Sequence, residues 1–515
     1  MVAVDIQQLM TKYFILPTTA AFLLAAMIRS QAQTPPPEEA VILTPPAPAA
    51  PHLNCPAVYG AHPGSPFLYR IPTTGAAPVS FSARNLPPGL MLDAASGIIA
   101  GQVARPGVWR VKLSAKNSHG QDRRELRIVV GDKLALTPPM GWNSWYIFYN
   151  RVSDALMRQA ADQMIATRMA DYGYQYVNID DCWMKERSDP PYRGADGAVL
   201  PNAKFPDMKA LADYIHAKGL KAGLYTSPGP WTCGGYTGAY GHEAEDAREF
   251  AAWGFDFLKY DWCSYGSIAD TNAPDRFQRP YRLMWAELQK IPRDIVLNLC
   301  QYGMGEVWKW GGQVGNCWRT TDDLGAAPNT QLPGFYSIAF SNARHWPYAK
   351  PGAWNDPDYI LIGRVGDTRG PGESVPTSLT PNEQYSYMSL WCLMAAPLIF
   401  SGDMAKLDAF TLNVLCNSEV IAVDQDELGR QGCILQQTPE EYILLKDLED
   451  GSKAVGLFNL DSTPRKLSVS WADLGLSGPR KVRDLWRQKD IGTFTGAFEA
   501  EVPRHGVALV RISGK

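Results

Sequence analysis

Three stretches of this 515-residue chain share one design that constrains its fold more than any other feature. MADYGYQYVNID (169–180), IHAKGLKAGLY (215–225) and AAWGFDFLKYD (251–261) each pass from a helical segment through a glycine into an apolar run. Gly173, Gly219 and Gly254 stand where a helix C-terminus calls for positive φ. Ahead of two of them, Leu211, Tyr214 and Ile215 share one helical face, as do Ala247, Phe250 and Ala251. Helices alternating with apolar strands imply a parallel sheet. Continued along the chain, the pattern gives candidate strands near MGWNSW (140–145), YQYVNIDD (174–181), LKAGLYTS (220–227), FDFLKYDW (255–262), DIVLNLC (294–300), NCWRTTDD (316–323), GAWNDPD (352–358) and PLIFSGD (397–403). Eight units over about 290 residues predict an α/β fold, a (β/α)8 TIM-type barrel. A doubly wound open sheet is the alternative. It ordinarily carries a Gly-rich nucleotide turn after its first strand, and none is present.

The flanks read differently. Lys12 followed by an apolar run and then Ser30-Gln31-Ala32 predicts a signal peptide over 1–32, and hence a secreted or periplasmic protein with no membrane span after cleavage. A Pro-rich linker, expected to act as a semi-rigid tether, covers 33–51. Period-two alternation in WRVKLSAKN and ELRIVVGD, with the turn punctuation of NLPPGLMLDAASGIIAG, predicts an Ig-like β domain over 52–132, a spacer or docking module. The barrel is assigned to 133–430. Short β runs with an Asp450-Gly451 hairpin signal predict a C-terminal antiparallel β-sandwich over 431–515. Net charge is −3, which offers no basic surface to nucleic acid. The nine cysteines leave at least one unpaired within the chain.

Asp180-Asp181, Asp261, Asp322-Asp323 and Asp358 all fall at the carboxyl ends of candidate strands. One such acid alone is more often a helix cap or loop residue. Four strands doing it together point to an active site, because those ends converge on one barrel face. The seven dispersed His show no HExxH pair and the Cys no CxxC, so neither a metal nor another cofactor is expected. Paired carboxylates without a metal suit glycoside hydrolysis, one as nucleophile or base and one as acid. Lys259 and Asp261 are two apart on a strand and face one side, where the cation favours an ionised Asp261. Arg319 shares parity with Asp323 and not with Asp322, which favours Asp323 as the inward acid. Lys259 reaching solvent and Arg319 in a structural ion pair are the plain alternatives.

PPMGWNSW, NIDDCW, LKYDWC, CWRTTDD, WNDPD, APLIFSGD and VIAVDQDELGRQG, in that order, resemble glycoside hydrolase family twenty-seven, the α-galactosidase and α-N-acetylgalactosaminidase family. The resemblance runs from about Leu134 to the C-terminus. It implies a retaining double displacement that removes terminal α-galactose from oligo- or polysaccharides, with Asp261 as nucleophile and Asp323 as acid/base. It further implies that Trp145 forms a floor under the sugar, although a barrel-core Trp is almost as good a reading of that residue; Trp142 reads as core. Asp180 and Asp181 would hold O6 and O4, Tyr225, Lys259 and Arg319 the remaining hydroxyls, and Asp358 would line the pocket. The family pairs the positions matching Cys233 and Cys263 in a disulfide. Two departures stand out. Cys300-Gln301-Tyr302-Gly303 replaces a common CEWG, which makes Gln301 a neutral substrate-binding candidate, and Tyr359 replaces a common Met. In the family both positions lie near the 2-substituent side of the pocket. A cysteine near Asn150 is also missing, which leaves Cys182 without its family partner.

Three rival functions remain. β-L-Arabinopyranosidase and α-N-acetylgalactosaminidase activity occur in the same family, and Asp180, kept as an O6 acceptor, favours galactose. Outside enzymes, a catalytically inactive carbohydrate-binding barrel would ordinarily have lost a carboxylate, whereas Asp261 and Asp323 are both present.

Overall fold

The computed structural model describes residues 38–366 and 373–514. The expected signal peptide lies outside the described residues. Eight parallel strands pair in sequence order: β1 (Met140–Asn143), β2 (Tyr176–Asn178), β3 (Lys221–Thr226), β4 (Phe257–Asp261), β5 (Val296–Cys300), β6 (Cys317–Arg319), β7 (Trp354–Asp356) and β8 (Leu398–Phe400). β8 returns to pair with β1, with Met140 opposite Leu398. The gap between β7 and β8 is closed by one residue beyond β7, since the Ile360 N–H donates to the Ile399 carbonyl and the Ser401 N–H to the Ile360 carbonyl. A closed barrel leaves no open sheet edge at its centre.

Helices α1 (Asp154–Ala166), α2 (Met208–His216), α3 (Glu243–Trp253), α4 (Arg279–Leu288), α5 (Gly334–Ala343) and α6 (Pro381–Leu393) form the outer layer. Met208, Leu211, Ala212 and Ile215 bury the inner face of α2, while Tyr214 stays half-buried and donates its hydroxyl to Asp162. The alternation expected from sequence fails in two places. MADY is a short 3₁₀ turn, because the helix has ended at Ala166; Gly173 caps that turn with φ 106°. Between β5 and β6 the described chain forms only 3₁₀ turns, Met304–Lys309 and Gly311–Gln313. Glycine at 303, 305, 311, 312 and 315 opposes a helix there.

Residues 58–130 form a four-stranded sheet facing a three-stranded one around Val111, Leu113, Leu126 and Ile128. This Ig-like unit sits on the amino-terminal face of the barrel. Tyr59 stacks on the Lys221 ammonium at 5.1 Å, His62 pairs with Asp294 at 2.9 Å, and the Asn54 amide donates to the Asp171 carbonyl at 2.8 Å. A Cβ at Gly219 would lie 2.9 Å from Ile98 of the Ig-like unit, so glycine is needed there for close approach as well as for its φ of 74°. The Pro-rich stretch departs from the free tether expected of it. Leu43 and Thr44 N–H groups donate to Tyr385 and Asn413, and Glu38 pairs with Arg504. These partners give its backbone polar groups a fixed place on the barrel helices, which a solvated Pro-rich segment lacks.

At the other end, a six-stranded antiparallel sheet packs on a two-stranded antiparallel sheet of Arg465–Ser470 and Ala497–Val502 around Val455, Leu457, Leu467, Val469 and Phe498. Its Asp450-Gly451 turn joins Glu441–Asp447 to Lys453–Asn459, with Gly451 at φ 78°. No helix among the described residues is long and apolar enough to cross a membrane.

Gly254 ends α3 at φ 97°, and a Cβ there would meet its nearest neighbour, His216, at an ordinary 3.4 Å. Replacement therefore tests backbone strain alone. Gly254→Ala is expected to lower stability by about 1 kcal/mol, and Gly219→Ala by more because it also displaces Ile98. Urea unfolding of both variants checks the order; a neutral Gly254→Ala would show that the cap carries no strain.

Candidate active site

Five of the eight strands deliver a charged group or a tyrosine of the expected site to the carboxyl-terminal face. β2 ends in Asp180 and Asp181, each about 1% exposed. β3 carries Tyr225, β4 carries Lys259 and Asp261, β6 carries Arg319, and the loops after β6 and β7 carry Asp323 and Asp358. The period of two places Lys259 and Asp261 on the same side of β4, as expected.

Asp261 is held by two phenols. The Tyr225 hydroxyl donates to its Oδ2 at 3.0 Å and the Tyr302 hydroxyl to its Oδ1 at 2.6 Å. Burial pushes the Asp261 carboxyl above the ordinary range; Lys259 and the Tyr302 hydrogen bond pull it back, and the negative charge of Asp323 adds to the rise. Asp323 is more open, with 44% of its side chain exposed, and accepts from Arg319 Nη1 at 3.1 Å. Asp322 points to solvent, and only its carbonyl takes part, accepting from Arg319 Nη2 at 2.8 Å. Arg319 also pairs with Asp358 at 3.2 Å. Asp358 Oδ2 accepts from the Tyr146 hydroxyl and the Leu324 N–H, while its buried Oδ1 has no hydrogen-bond partner among the described residues.

On the other side, Lys259 Nζ donates to Asp180 Oδ2 at 2.9 Å, with both groups buried. Burial works against the ammonium, but Asp180 and its neighbours outweigh it and hold Lys259 well above its ordinary value. Asp181 accepts from the N–H groups of Cys182 and Gly234, each at 2.7 Å, and burial pushes its pKa up to about 7. Trp145 is half-buried at the rim, its ring 5.9 Å from Lys259 Nζ, and so is not a core residue. Trp142 is fully buried and donates its indole N–H to the Gly402 carbonyl. Cys233 and Cys263 are joined, with their Cα atoms 4.9 Å apart, whereas Cys182 is a buried free thiol.

The two departures have different surroundings. Gln301 is fully buried and turned to its own loop, its amide donating to the Met304 carbonyl at 2.7 Å. Its neighbour Tyr302 makes the contact to Asp261. The Tyr359 hydroxyl donates to Asp180 Oδ2 at 3.1 Å, and its ring lies 5.1 Å from Lys259 Nζ. Tyr146 and Tyr302 were both missed in the sequence. Tyr302 had a signal, since it stands beside Gln301 in the altered motif; Tyr146 had none beyond adjacency to Trp145.

Backbone strain concentrates here. Cys182, Ser264, Tyr302 and Asp358, none of them glycine, have φ of 78°, 54°, 61° and 83° after the ends of β2, β4, β5 and β7. Such conformations persist only where surrounding contacts hold them, and they turn side chains in directions a relaxed loop does not give.

Comparison with known proteins agrees with this geometry. The family model described as alpha galactosidase A matches residues 137–426, that of the alpha galactosidase C-terminal beta sandwich domain 441–512, and an Ig domain model 47–131. The alpha-galactosidase of Cyamopsis tetragonoloba is 37% identical over 77% of this chain and 90% of its own. A solved structure from Bacteroides fragilis aligns over 92% of this chain and 99% of its own, with a TM-score of 0.83 and 37% identity. The alpha-galactosidase of Saccharomyces cerevisiae, solved with raffinose, covers 74% of this chain and 98% of its own, with a TM-score of 0.65 and 25% identity. On the match over more than half of its length and on these relatives, the chain belongs to the alpha galactosidase A family of glycoside hydrolases.

Proposed function

We propose that this protein is a retaining α-galactosidase that removes terminal α-linked galactose from oligo- or polysaccharides, with Asp261 as nucleophile and Asp323 as acid/base. The observation that carries the reading is the unequal treatment of the two acids. Asp261 is buried and takes two phenolic hydrogen bonds, as suits a carboxylate that must stay ionised away from water. Asp323 is half-open and steadied by Arg319, as suits a group that meets both leaving group and water. Raffinose, the ligand of the Saccharomyces cerevisiae relative, is consistent with an oligosaccharide substrate.

In the first step an Asp261 oxygen attacks the anomeric carbon while Asp323 passes its proton to the departing glycosidic oxygen. In the second, Asp323 takes a proton from water as that water displaces Asp261, and two inversions leave the α-anomer. Asp180 and Asp181 accept from the O6 and O4 hydroxyls, Lys259, Arg319 and Tyr225 hold the others, Asp358 lines the pocket through its free Oδ1, and Trp145 lies under the ring. A secreted or periplasmic location fits the Cys233–Cys263 bridge and the N-terminal apolar run. N-terminal sequencing of the exported protein is expected to begin after residue 32; an intact Met1 on that protein would refute it.

The acid/base assignment separates Asp323 from its neighbour. A sugar leaving group needs protonation, whereas an activated aryl group needs little. Asp323→Ala is expected to lose about 10³-fold or more on natural galactosides and far less in the first step on aryl galactosides. Azide, which needs no base, then restores turnover by displacing Asp261 from the β-linked intermediate and gives α-galactosyl azide. NMR of fresh wild-type product should show α-galactose first. Initial β-galactose would overturn the mechanism, and azide rescue of Asp322→Ala in place of Asp323→Ala would reverse the assignment.

Tyr302 predicts a pH effect. Activity requires ionised Asp261, whose folded pKa is raised, so kcat/KM falls as pH drops through that value. The Tyr302 hydrogen bond stabilises the ionised form, and its removal raises the pKa further. Tyr302→Phe should therefore move the acid limb to higher pH by about one unit, leaving the basic limb in place. An unmoved acid limb would show that the phenol only packs there.

A further inference from the structure

Beside Asp261 stand two sulfurs that the hydrolytic reaction does not use. Cys233 Sγ, Cys263 Sγ and an Asp261 carboxylate oxygen all lie within 4.8 Å of one another. The Tyr225 hydroxyl is 3.3 Å from Cys263 Sγ and 3.0 Å from Asp261 Oδ2; the Tyr302 hydroxyl is 3.9 Å from Cys233 Sγ and 2.6 Å from Asp261 Oδ1. Each sulfur is thus one phenol away from the carboxylate. While the sulfurs are bonded to each other they cannot ligate as thiolates. We propose that opening the Cys233–Cys263 bridge creates a three-donor site, two thiolates and the Asp261 carboxylate, for a borderline divalent cation such as zinc or cadmium, and that the bound ion takes Asp261 out of use.

The donor set has the right chemistry. Two sulfurs and one oxygen suit zinc or cadmium, and magnesium and calcium prefer oxygen alone. Bonds of ~2.0–2.3 Å to a tetrahedral ion place donors about 3.5 Å apart, so the two sulfurs have to part from bonded contact while their spacing to the carboxylate, now within 4.8 Å, closes by up to about an ångström. Side-chain rotation of two freed cysteines supplies that. The fourth position is left to water. Lys259 opposes a cation here, but it is already paired with Asp180, and Asp323 adds negative charge from the open side.

The bridge is also reachable. Cys233 is exposed and Cys263 is buried. A small dithiol attacks the Cys233 sulfur, forming a mixed disulfide and expelling Cys263 as thiolate. The reagent's second thiol then closes on the first, releasing Cys233. Two electrons pass to the protein disulfide, the reagent leaves as a cyclic disulfide, and the two protein sulfurs end as thiols. Metal binding releases both thiol protons. The consequence is an enzyme whose hydrolytic activity, in the presence of zinc, depends on this bridge being closed.

The inhibitory half of the proposal rests on Asp261 being the nucleophile, and the binding half does not. The enzyme is prepared with the bridge intact and after dithiothreitol reduction, with the reagent removed without air. Both forms are titrated with cadmium chloride, followed by thiolate-to-metal absorption, and with zinc chloride, followed by aryl galactoside hydrolysis. The seven other cysteines are common to both forms, so the difference between them reports the site. The reduced form should gain one equivalent of cadmium absorption and lose at least about tenfold activity in micromolar zinc relative to its own metal-free state, reversed by EDTA. The oxidised form should show neither. Reduced Asp261→Asn should bind cadmium about tenfold or more weakly than the reduced parent. Equal behaviour of the oxidised and reduced forms would overturn the proposal, and so would full cadmium affinity in Asp261→Asn. Weaker binding in Asp261→Asn with no loss of hydrolysis in zinc would uphold the site and count against Asp261 as nucleophile.

Discussion

Five carboxylates share one pocket with two cations, and the rest of the site follows from keeping that arrangement folded. Asp180, Asp181, Asp261, Asp323 and Asp358 gather around Lys259 and Arg319, and of the seven only Asp323 is substantially exposed. Unpaired buried charge is costly, so the cations are placed by strands rather than by loops. Lys259 rises from β4 to Asp180, and Arg319 from β6 to both Asp323 and Asp358. Two cations do not balance five acids. The imbalance appears as raised pKa values at Asp181, Asp261 and Asp358, in each case driven first by burial. Asp261, the proposed nucleophile, has no direct ion pair among the described residues. Its charge is supported by two neutral phenols, which donate hydrogen bonds without occupying the pocket with a second cation.

That support depends on backbone that a relaxed chain avoids. Tyr302 reaches Asp261 from a left-handed residue followed by Gly303, also left-handed at 80°. The segment after it contains only 3₁₀ turns and is rich in glycine, so β5 is released from the usual helical return. Asp358 adopts φ 83° and aims Oδ2 at Tyr146, Leu324 and Arg319 together. The strain is offset by these hydrogen bonds, and so the geometry should persist without substrate. Meanwhile the Ig-like unit docks at the opposite end of the barrel, through Tyr59, His62 and Asn54. It braces the strand starts and leaves the carboxyl face clear.

The barrel was legible because its signals are local. Each strand is a short apolar run that ends in an acid or a special residue, and each of these eight runs forms a strand. Strand parity distinguished Asp323 from Asp322, because an Arg on β6 fixes which way the chain turns next. What the sequence hid depends on loop conformation. Gln301 and Tyr302 are adjacent, and a positive φ at the second sends it to Asp261 while the first turns inward. Strand periodicity carries no information beyond the strand end. The contact of Tyr359 was hidden for the same reason, since it follows the left-handed Asp358 and places its hydroxyl on Asp180. The Pro-rich stretch misled in another way. Composition reports the stiffness of the free chain, and the contacts of Leu43 and Thr44 with Tyr385 and Asn413 are tertiary.

Acceptor capacity explains why two adjacent acids are needed at one strand end. A carboxylate offers about four lone-pair sites. Asp180 spends three of them within the protein, on Lys259, Tyr359 and the Asp181 N–H. Asp181 accepts from the Cys182 and Gly234 N–H groups and from the Thr232 hydroxyl. Each acid therefore retains room for one more donor. A sugar presenting two neighbouring hydroxyls on this side fills both, whereas a sugar with one leaves a buried acceptor unpaired. Unpaired buried polar groups discriminate more strongly than lost apolar contact, so on the proposed reading the pair selects for a hexose bearing both hydroxyls. Tyr359 sharpens the selection, since its hydroxyl occupies a site on Asp180 that a Met at that position would leave open.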